Sequence, residues 1–423
     1  MVAESERTFE RPHRPLFVRL YNLLVGCLEV CGIRPSQLTE ASILEAARRQ
    51  AKLSDFSDER FRDPLRRIID ACHQTGRLSP FGRLMARRRL IEIAVNRLKI
   101  DEDIRRHPEI LDVQIHRPLL VTGLPRTGTT LLYNLLAQDP AGRPLLFWEA
   151  TWPSPPPDRA TRDTDPRIKQ ARSLVKMAYR LAPQLPSVHE LQPNGPEECL
   201  SLTLHSFVSP AFSMLADVSS YEEWLRDLDF ESKVAAYEYY RRQLQLLQWR
   251  CWADHWVLKS PVHLAGLDAL LTAIPDACVV QAHRDPAKAV PSVCSLFAIT
   301  RGMATDKLDL HALGARAVEI CADLLDRATS ARESFPDRVF DVHYPDLVRD
   351  PIQTVHRIYE RFGYERSDRM DAAMATWLAD NGQNKHPAHR YDLAQFGLAP
   401  TTINEMFGPY CERFGVAPEL PRR

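Results

Sequence analysis

The chain has 423 residues, of which 44% are apolar and 26% charged. That is ordinary globular composition, and the length suits one large domain with an appendage, or two domains. Lys plus Arg and Asp plus Glu both total 55, so bulk charge gives no argument for nucleic acid or for an anionic membrane as partner, while a local basic pocket stays compatible.

The first residues, MVAESERTFE, are polar, so no secretory signal is expected. Nine cysteines, without a CxxC pair, read as free thiols in a reducing compartment, so a cytoplasmic setting is expected. Cys27 and Cys31 share a helix face but lack nearby His or Cys partners, so they read as packing residues and no metal site is expected. Residues 16–31 are apolar but interrupted by Arg19, Asn22 and Glu29. That falls short of the ~20 apolar residues of a spanning helix. The segment is expected to pack on its own domain, with peripheral contact to a membrane or a partner left open.

Residues 1–110 read as a helical N-terminal extension. Ser79-Pro80 is a helix start, with Ser at the cap and Pro at the first turn. Leu84, Ile91, Val95 and Leu98 follow at helical spacing. After Arg117-Pro118 the pattern changes. Leu119–Val121 is a short buried-strand run, the glycine turn GLPRTGTT follows at 123–130, and an amphipathic segment begins at Leu131. Further apolar runs at 145–148, 256–258, 278–282 and 339–342 are each flanked by helical sequence. The expected fold is α/β: a P-loop-type parallel sheet flanked by helices, spanning 111–423, with a helical insertion at 151–250.

In the loop Gly123–Thr130, glycines let successive backbone N–H groups turn toward an anion at a helix N-terminus. A nucleoside-triphosphate loop carries Lys after its second glycine, then Ser or Thr for Mg²⁺. Here Thr129 takes the Lys position and the cation sits inside the loop, at Arg126. Two more cations end strands beside helix starts: Lys259 before Ser260-Pro261, and Arg284 before Asp285-Pro286. In open parallel sheets ligands sit at that edge. Ser292 lies about two turns into the helix after Arg284, and a guanidinium with a hydroxyl suits a second, separate phosphate. Taken singly, Lys259 reads first as a solvated strand end, Arg284 as a strand-end residue paired with a local carboxylate such as Asp285, and the loop as a packing turn or a degenerate loop that binds nothing.

In these residues the sequence resembles the PAPS-dependent sulfotransferases (PAPS is 3′-phosphoadenosine 5′-phosphosulfate), and in particular a bacterial branch related to tyrosylprotein sulfotransferases. The likeness runs from about Leu53 to Tyr410 and includes LSDF, RLSPFGRL and VFDVHYPDLVRDP. It implies that Pro125, Arg126, Thr127, Gly128, Thr129 and Thr130 hold the 5′-phosphosulfate of PAPS, and Arg284 with Ser292 the 3′-phosphate. Lys259 would stabilise the transferring group, with Arg126 assisting, and Tyr344 would lie near the adenine. No metal is implied. The segment KHPAHRYDLAQFGL at 385–398 resembles this branch's C-terminal motif.

In-line sulfuryl transfer needs a base. Glu149, read as ending a second strand LLFWEA beside Phe147 and Trp148, is the first candidate, and its apolar neighbours predict a raised pKa. His189 is the competitor, because the resemblance to cytosolic members of the family implies a His about this far beyond the loop, with Glu197 and Glu198 behind it. The acceptor is expected to be a hydroxyl or similar nucleophile of a small molecule, with 151–250 as its lid. The aromatics Phe207, Phe212, Tyr221, Trp224, Phe230, Tyr237, Tyr239, Tyr240 and Trp249 suggest apolar walls. The alternatives are a P-loop kinase or NTPase, and a non-catalytic nucleotide-binding protein.

Overall fold

The computed structural model describes residues 9, 12–33, 35–381 and 393–419. Residues 385–392 of the C-terminal motif therefore lie outside the described residues. From Leu16 onward the chain forms α1 (Leu16–Val30), α2 (Glu40–Ala51), α3 (Arg62–Gln74) and α4 (Pro80–Arg106). Ser79 caps α4, its hydroxyl accepting from the Gly82 N–H. Then follow β1 (Leu119–Gly123), α5 (Thr129–Leu136) and β2 (Gly142–Pro144). The long connection to β3 (His255–Lys259) holds α6 (Phe147–Thr151), α7 (Arg167–Leu181), α8 (Leu185–Val188), α9 (Leu200–Leu204), α10 (Ser219–Asp227) and α11 (Phe230–Gln248). The chain continues through α12 (Leu267–Ala273), β4 (Cys278–His283), α13 (Pro286–Gly302), α14 (Leu310–Ala331) and β5 (Val339–His343). It closes with α15 (Tyr344–Arg349), α16 (Pro351–Phe362), α17 (Asp368–Asp380) and α18 (Pro400–Phe414).

The five strands form one parallel sheet in the order β2-β3-β1-β4-β5. β1 is central, with Leu120 opposite Leu258 on one side and Val279 on the other. Side chains alternate across a strand, so Leu120, Leu258 and Val279 join one core with α11, α13 and α14. Leu119, Val121, Val257 and Val280 join another with α5 and α16. Every residue of β1, β3 and β4 is buried, which is why these strands read as mostly apolar runs without alternation.

The helices α2, α3 and α4 share a core with Phe207, Phe212, Tyr221 and Val262, so the N-terminal helices and the β2–β3 connection pack as one body. Phe207, Phe212 and Tyr221 are spent on that packing. Helix α1 buries Val18 and Val25 and leaves Leu20, Leu23 and Leu24 exposed. The expectation that α1 packs on its own domain therefore holds for one side only. Among the described residues, no helix is long and apolar enough to cross a membrane.

The second strand differs from expectation. It is Gly142–Pro144, and Phe147–Thr151 is a helix. The Glu149 carboxylate accepts from the Leu146 N–H at 3.1 Å and the Phe147 N–H is taken by the Gly195 carbonyl. The apolar run is buried by a helical turn; periodicity alone does not separate that from a strand.

Candidate functional site

The carboxyl ends of β3, β1 and β4 lie side by side, and each carries one of the predicted features. After β1 the chain turns through Gly123 (φ 140°) and Gly128 (φ 90°). Both need glycine. A Cβ on Gly123 would meet the Ala282 carbonyl oxygen at 2.6 Å, and one on Gly128 would meet Leu347 at 2.8 Å and the Tyr344 ring at 2.9 Å. Thr127 is buried and ties the turn together, its hydroxyl donating to the Leu124 carbonyl at 2.7 Å. No side chain caps α5 at Gly128, which lets the N–H groups of its first turn face an anion. Arg126 is exposed, with a left-handed backbone (φ 72°).

Lys259, the last residue of β3, is buried, and its ammonium pairs with Glu198. Arg284 follows β4 and reaches back to the loop, donating to the Arg126 carbonyl at 3.0 Å. Its guanidinium lies 3.8 Å from the Tyr344 ring centroid. The sequence suggested Asp285 as its local partner. Instead Asp285 caps α13, and Arg284 donates from Nε and Nη2 to both carboxylate oxygens of Glu419, at 2.7 and 2.8 Å. The Glu419 N–H in turn donates to Asp285 at 2.7 Å.

These groups open onto one cavity of about 670 Å³. Pro125, Arg126, Gly128, Thr129, Thr130, His189, Lys259, Arg284, Ser292 and Tyr344 all line it, and so do Glu197 and Glu198. Thr127 lies behind the loop. His189 follows α8 and places Nε2 3.4 Å from the Glu197 carboxylate. Burial alone would lower the His189 pKa, but the facing Glu197 outweighs it and holds the imidazole above the ordinary histidine range. Glu197 is correspondingly held below the usual carboxylate range: burial would raise it, and His189 overrides that.

Glu149 is not in this cavity. It is fully buried between Arg143 at 2.8 Å and Arg162 at 2.9 Å. Burial would raise its pKa, but the two guanidinium groups hold it below the usual range. The expected raised pKa is therefore reversed, and a carboxylate held this way cannot reach an acceptor. The reading of Glu149 as base is withdrawn. Glu149→Gln should instead cost about 3–5 kcal/mol of stability, the usual effect of removing one partner from a buried ion pair, as read from denaturant unfolding.

The acceptor side of the cavity also departs from expectation. None of the nine aromatics singled out between Phe207 and Trp249 lines it, although Tyr237 and Tyr240 line a smaller cavity alongside. Its apolar wall comes from Leu185, Val188, Leu296, Phe297, Ile320 and Leu324. The helix α13 thus contributes Ser292 near one end and Leu296 and Phe297 further along. That dual use has a visible signal in sequence, an apolar face one turn beyond Ser292. The Glu419 contact has none.

A model of the sulfotransferase family matches residues 118–368. The solved structure of sulfotransferase STF1 from Mycobacterium tuberculosis H37Rv is 34% identical, covering 89% of this chain and 100% of that one with a TM-score of 0.79. Sulfotransferase STF9 from Mycobacterium avium is 31% identical, covering 92% and 99%, with a TM-score of 0.82. The omega-hydroxy-beta-dihydromenaquinone-9 sulfotransferase Stf3 of Mycobacterium bovis is 24% identical over 326 residues, 72% of this chain and 76% of its own length.

Proposed function

Because the chain belongs to the sulfotransferase family, and so is a transferase, we propose that it carries a sulfuryl group from PAPS to the hydroxyl of a small apolar alcohol. One observation carries the reading of the donor: the glycine loop and the Arg284–Ser292 pair open onto the same cavity, with Arg284 bonded to the loop at Arg126. Two anion cradles joined across a tyrosine ring match a nucleotide with phosphates at both ends of its ribose. The 5′-phosphosulfate takes the loop from Pro125 to Thr130, the 3′-phosphate takes Arg284 and Ser292, and the adenine lies by Tyr344.

In the reaction the acceptor oxygen attacks sulfur in line. Its bond to sulfur forms as the bond between sulfur and the 5′-phosphate oxygen breaks, leaving adenosine 3′,5′-bisphosphate and a sulfate ester. The base is His189. Its Nε2–H faces Glu197, which leaves Nδ1 as the proton acceptor. Lys259, buried against Glu198, places positive charge where negative charge develops on the leaving oxygen, and Arg126 adds a second cation from the loop. With Thr129 in place of the phosphate-loop lysine, the positive charge comes from Arg126, Lys259 and Arg284, and no metal ion is invoked.

The apolar wall supports a hydrophobic acceptor. A smaller cavity of about 90 Å³ lies against it and shares Val262, Ile320 and Leu324, so an extended chain has room beyond the reacting end. The relative Stf3 is named for a hydroxylated menaquinone, an acceptor of this class. The residues of the β2–β3 connection that face the cavity, Leu185 to Leu200, serve as its lid.

Thermal denaturation tests the donor reading. Adenosine 3′,5′-bisphosphate in EDTA should raise the melting temperature, since a ligand at 100 times its Kd adds about 2.7 kcal/mol, while ATP with Mg²⁺ should not. The reverse preference would identify a kinase or NTPase. Stabilisation without turnover of PAPS on any long-chain alcohol would identify a binding protein. Faster turnover of a sugar than of a long-chain primary alcohol would overturn the acceptor class.

A further inference from the structure

Helix α1 is amphipathic the wrong way round for a helix in water. With 3.6 residues per turn, Leu16, Leu20, Leu23, Leu24 and Cys27 fall on one stripe, flanked by Phe17, Leu28 and Val30. That stripe points outward: Leu16 is 71% exposed, Leu23 65%, Leu24 66% and Val30 90%. Eight of the fourteen large apolar side chains exposed among the described residues lie between Leu16 and Ile33. Three of its polar residues turn inward. Asn22 accepts from the Phe81 N–H at 2.8 Å, Tyr21 meets Ser36 at 3.5 Å, and Glu29 pairs with Arg83. Arg19, at the border of the stripe, donates to the Arg14 carbonyl at 3.0 Å. A surface helix of a water-soluble protein shows the opposite arrangement.

We propose that this face of α1 lies in the headgroup–acyl boundary of a lipid bilayer. Area and charge choose this occupant over a second copy of the chain. A helix of 15 residues is ~22 Å long, and one face of it ~10 Å wide. The patch is then on the order of 200 Å² in projected footprint, and it supplies eight exposed apolar residues between Leu16 and Ile33, against the ~20–30 residues a side of a stable protein interface. A bilayer sets no such minimum, and shallow insertion of a leucine-rich stripe is the usual mode of interfacial helices. The stripe itself carries no charge, and the two charged residues of the helix are already bonded to the protein. Its position fits as well. A groove at the N-terminal end of α1 is lined by Arg14, Arg19, Asn22 and Gln184, and Gln184 directly precedes α8, whose Leu185 and Val188 line the cavity. Lipid contact at α1 therefore holds the cavity wall close to the membrane surface.

The test is flotation of the full chain with vesicles of phosphatidylcholine, alone and mixed with phosphatidylglycerol. The wild type should float with both. The double variant Leu20→Asp/Leu24→Asp should bind at least tenfold more weakly while keeping its far-ultraviolet circular dichroism. Leu23→Trp provides an independent reading, a blue-shifted emission when vesicles are added. Equal flotation of wild type and double variant, or no flotation of the wild type, would overturn the proposal. So would a light-scattering mass showing a dimer that the double variant converts to monomer, which would assign the face to a second copy. Every one of these readouts is independent of PAPS and of turnover.

Discussion

Arg284→Ala should weaken binding of adenosine 3′,5′-bisphosphate by about ten- to a hundredfold, whereas Glu419→Gln should tighten it. The guanidinium is held for a single task. Its ring stack on Tyr344 at 3.8 Å and its bond to the Arg126 carbonyl at 3.0 Å fix its plane. Its remaining fork, Nε and Nη2, meets both oxygens of Glu419. Two parallel charge-assisted bonds are also how arginine binds a phosphate, so the carboxylate holds the fork that the 3′-phosphate requires. Hydrogen bonds to charged groups contribute about 1.5–3 kcal/mol, which sets the loss on removing Arg284. The same competition gives Glu419→Gln the opposite sign. A site open for only part of the time binds with an affinity reduced by that fraction, and Glu419→Gln removes the occupant's charge. Calorimetric titration at fixed ionic strength reads both. Weaker binding in Glu419→Gln would mean that the carboxylate supports the nucleotide instead of competing with it.

The parts of the site that were legible in sequence are those tied to the backbone of the sheet. Gly123, Gly128, Lys259 and Arg284 each end or follow a strand, and parallel strands bring such residues to one edge whatever separates them along the chain. Glu149 failed because the rule was applied to the wrong element. LLFW is apolar enough for a strand, but the chain leaves the sheet at Pro144 and Glu149 turns back to cap its own helix. Its two arginine partners are one strand and one loop away, and no spacing announces them. Glu419 is harder still, 135 residues from Arg284. Helix α1 shows a third kind of failure. Arg19, Asn22 and Glu29 interrupt an apolar run expected to pack on its own domain, and the structure turns Asn22 and Glu29 inward because Phe81 and Arg83 satisfy them. Polarity in sequence marks a group that needs a partner, and solvent is only one of the partners available.

His189→Ala should lower kcat by about 10²- to 10⁴-fold, the range for loss of a positioned general base, with nucleotide affinity unchanged. Its pH dependence separates this role from a merely structural one. A base acts unprotonated, so kcat/KM should rise with pH through the His189 pKa and level off above it. Burial would place that pKa below 6.5, but Glu197 lifts it above, so the acid limb should sit on the alkaline side of an ordinary histidine. Glu197→Gln removes the carboxylate and leaves burial, so the limb should move to lower pH even if the plateau falls. Lys259, paired with Glu198, lowers the His189 pKa, so its change to Met should lower the plateau and move the limb to higher pH, opposite in direction to Glu197→Gln. A limb that stays put in Glu197→Gln, or full activity in His189→Ala, would remove the histidine from the chemistry and leave the cavity carboxylates Glu197 and Glu198 to take the proton.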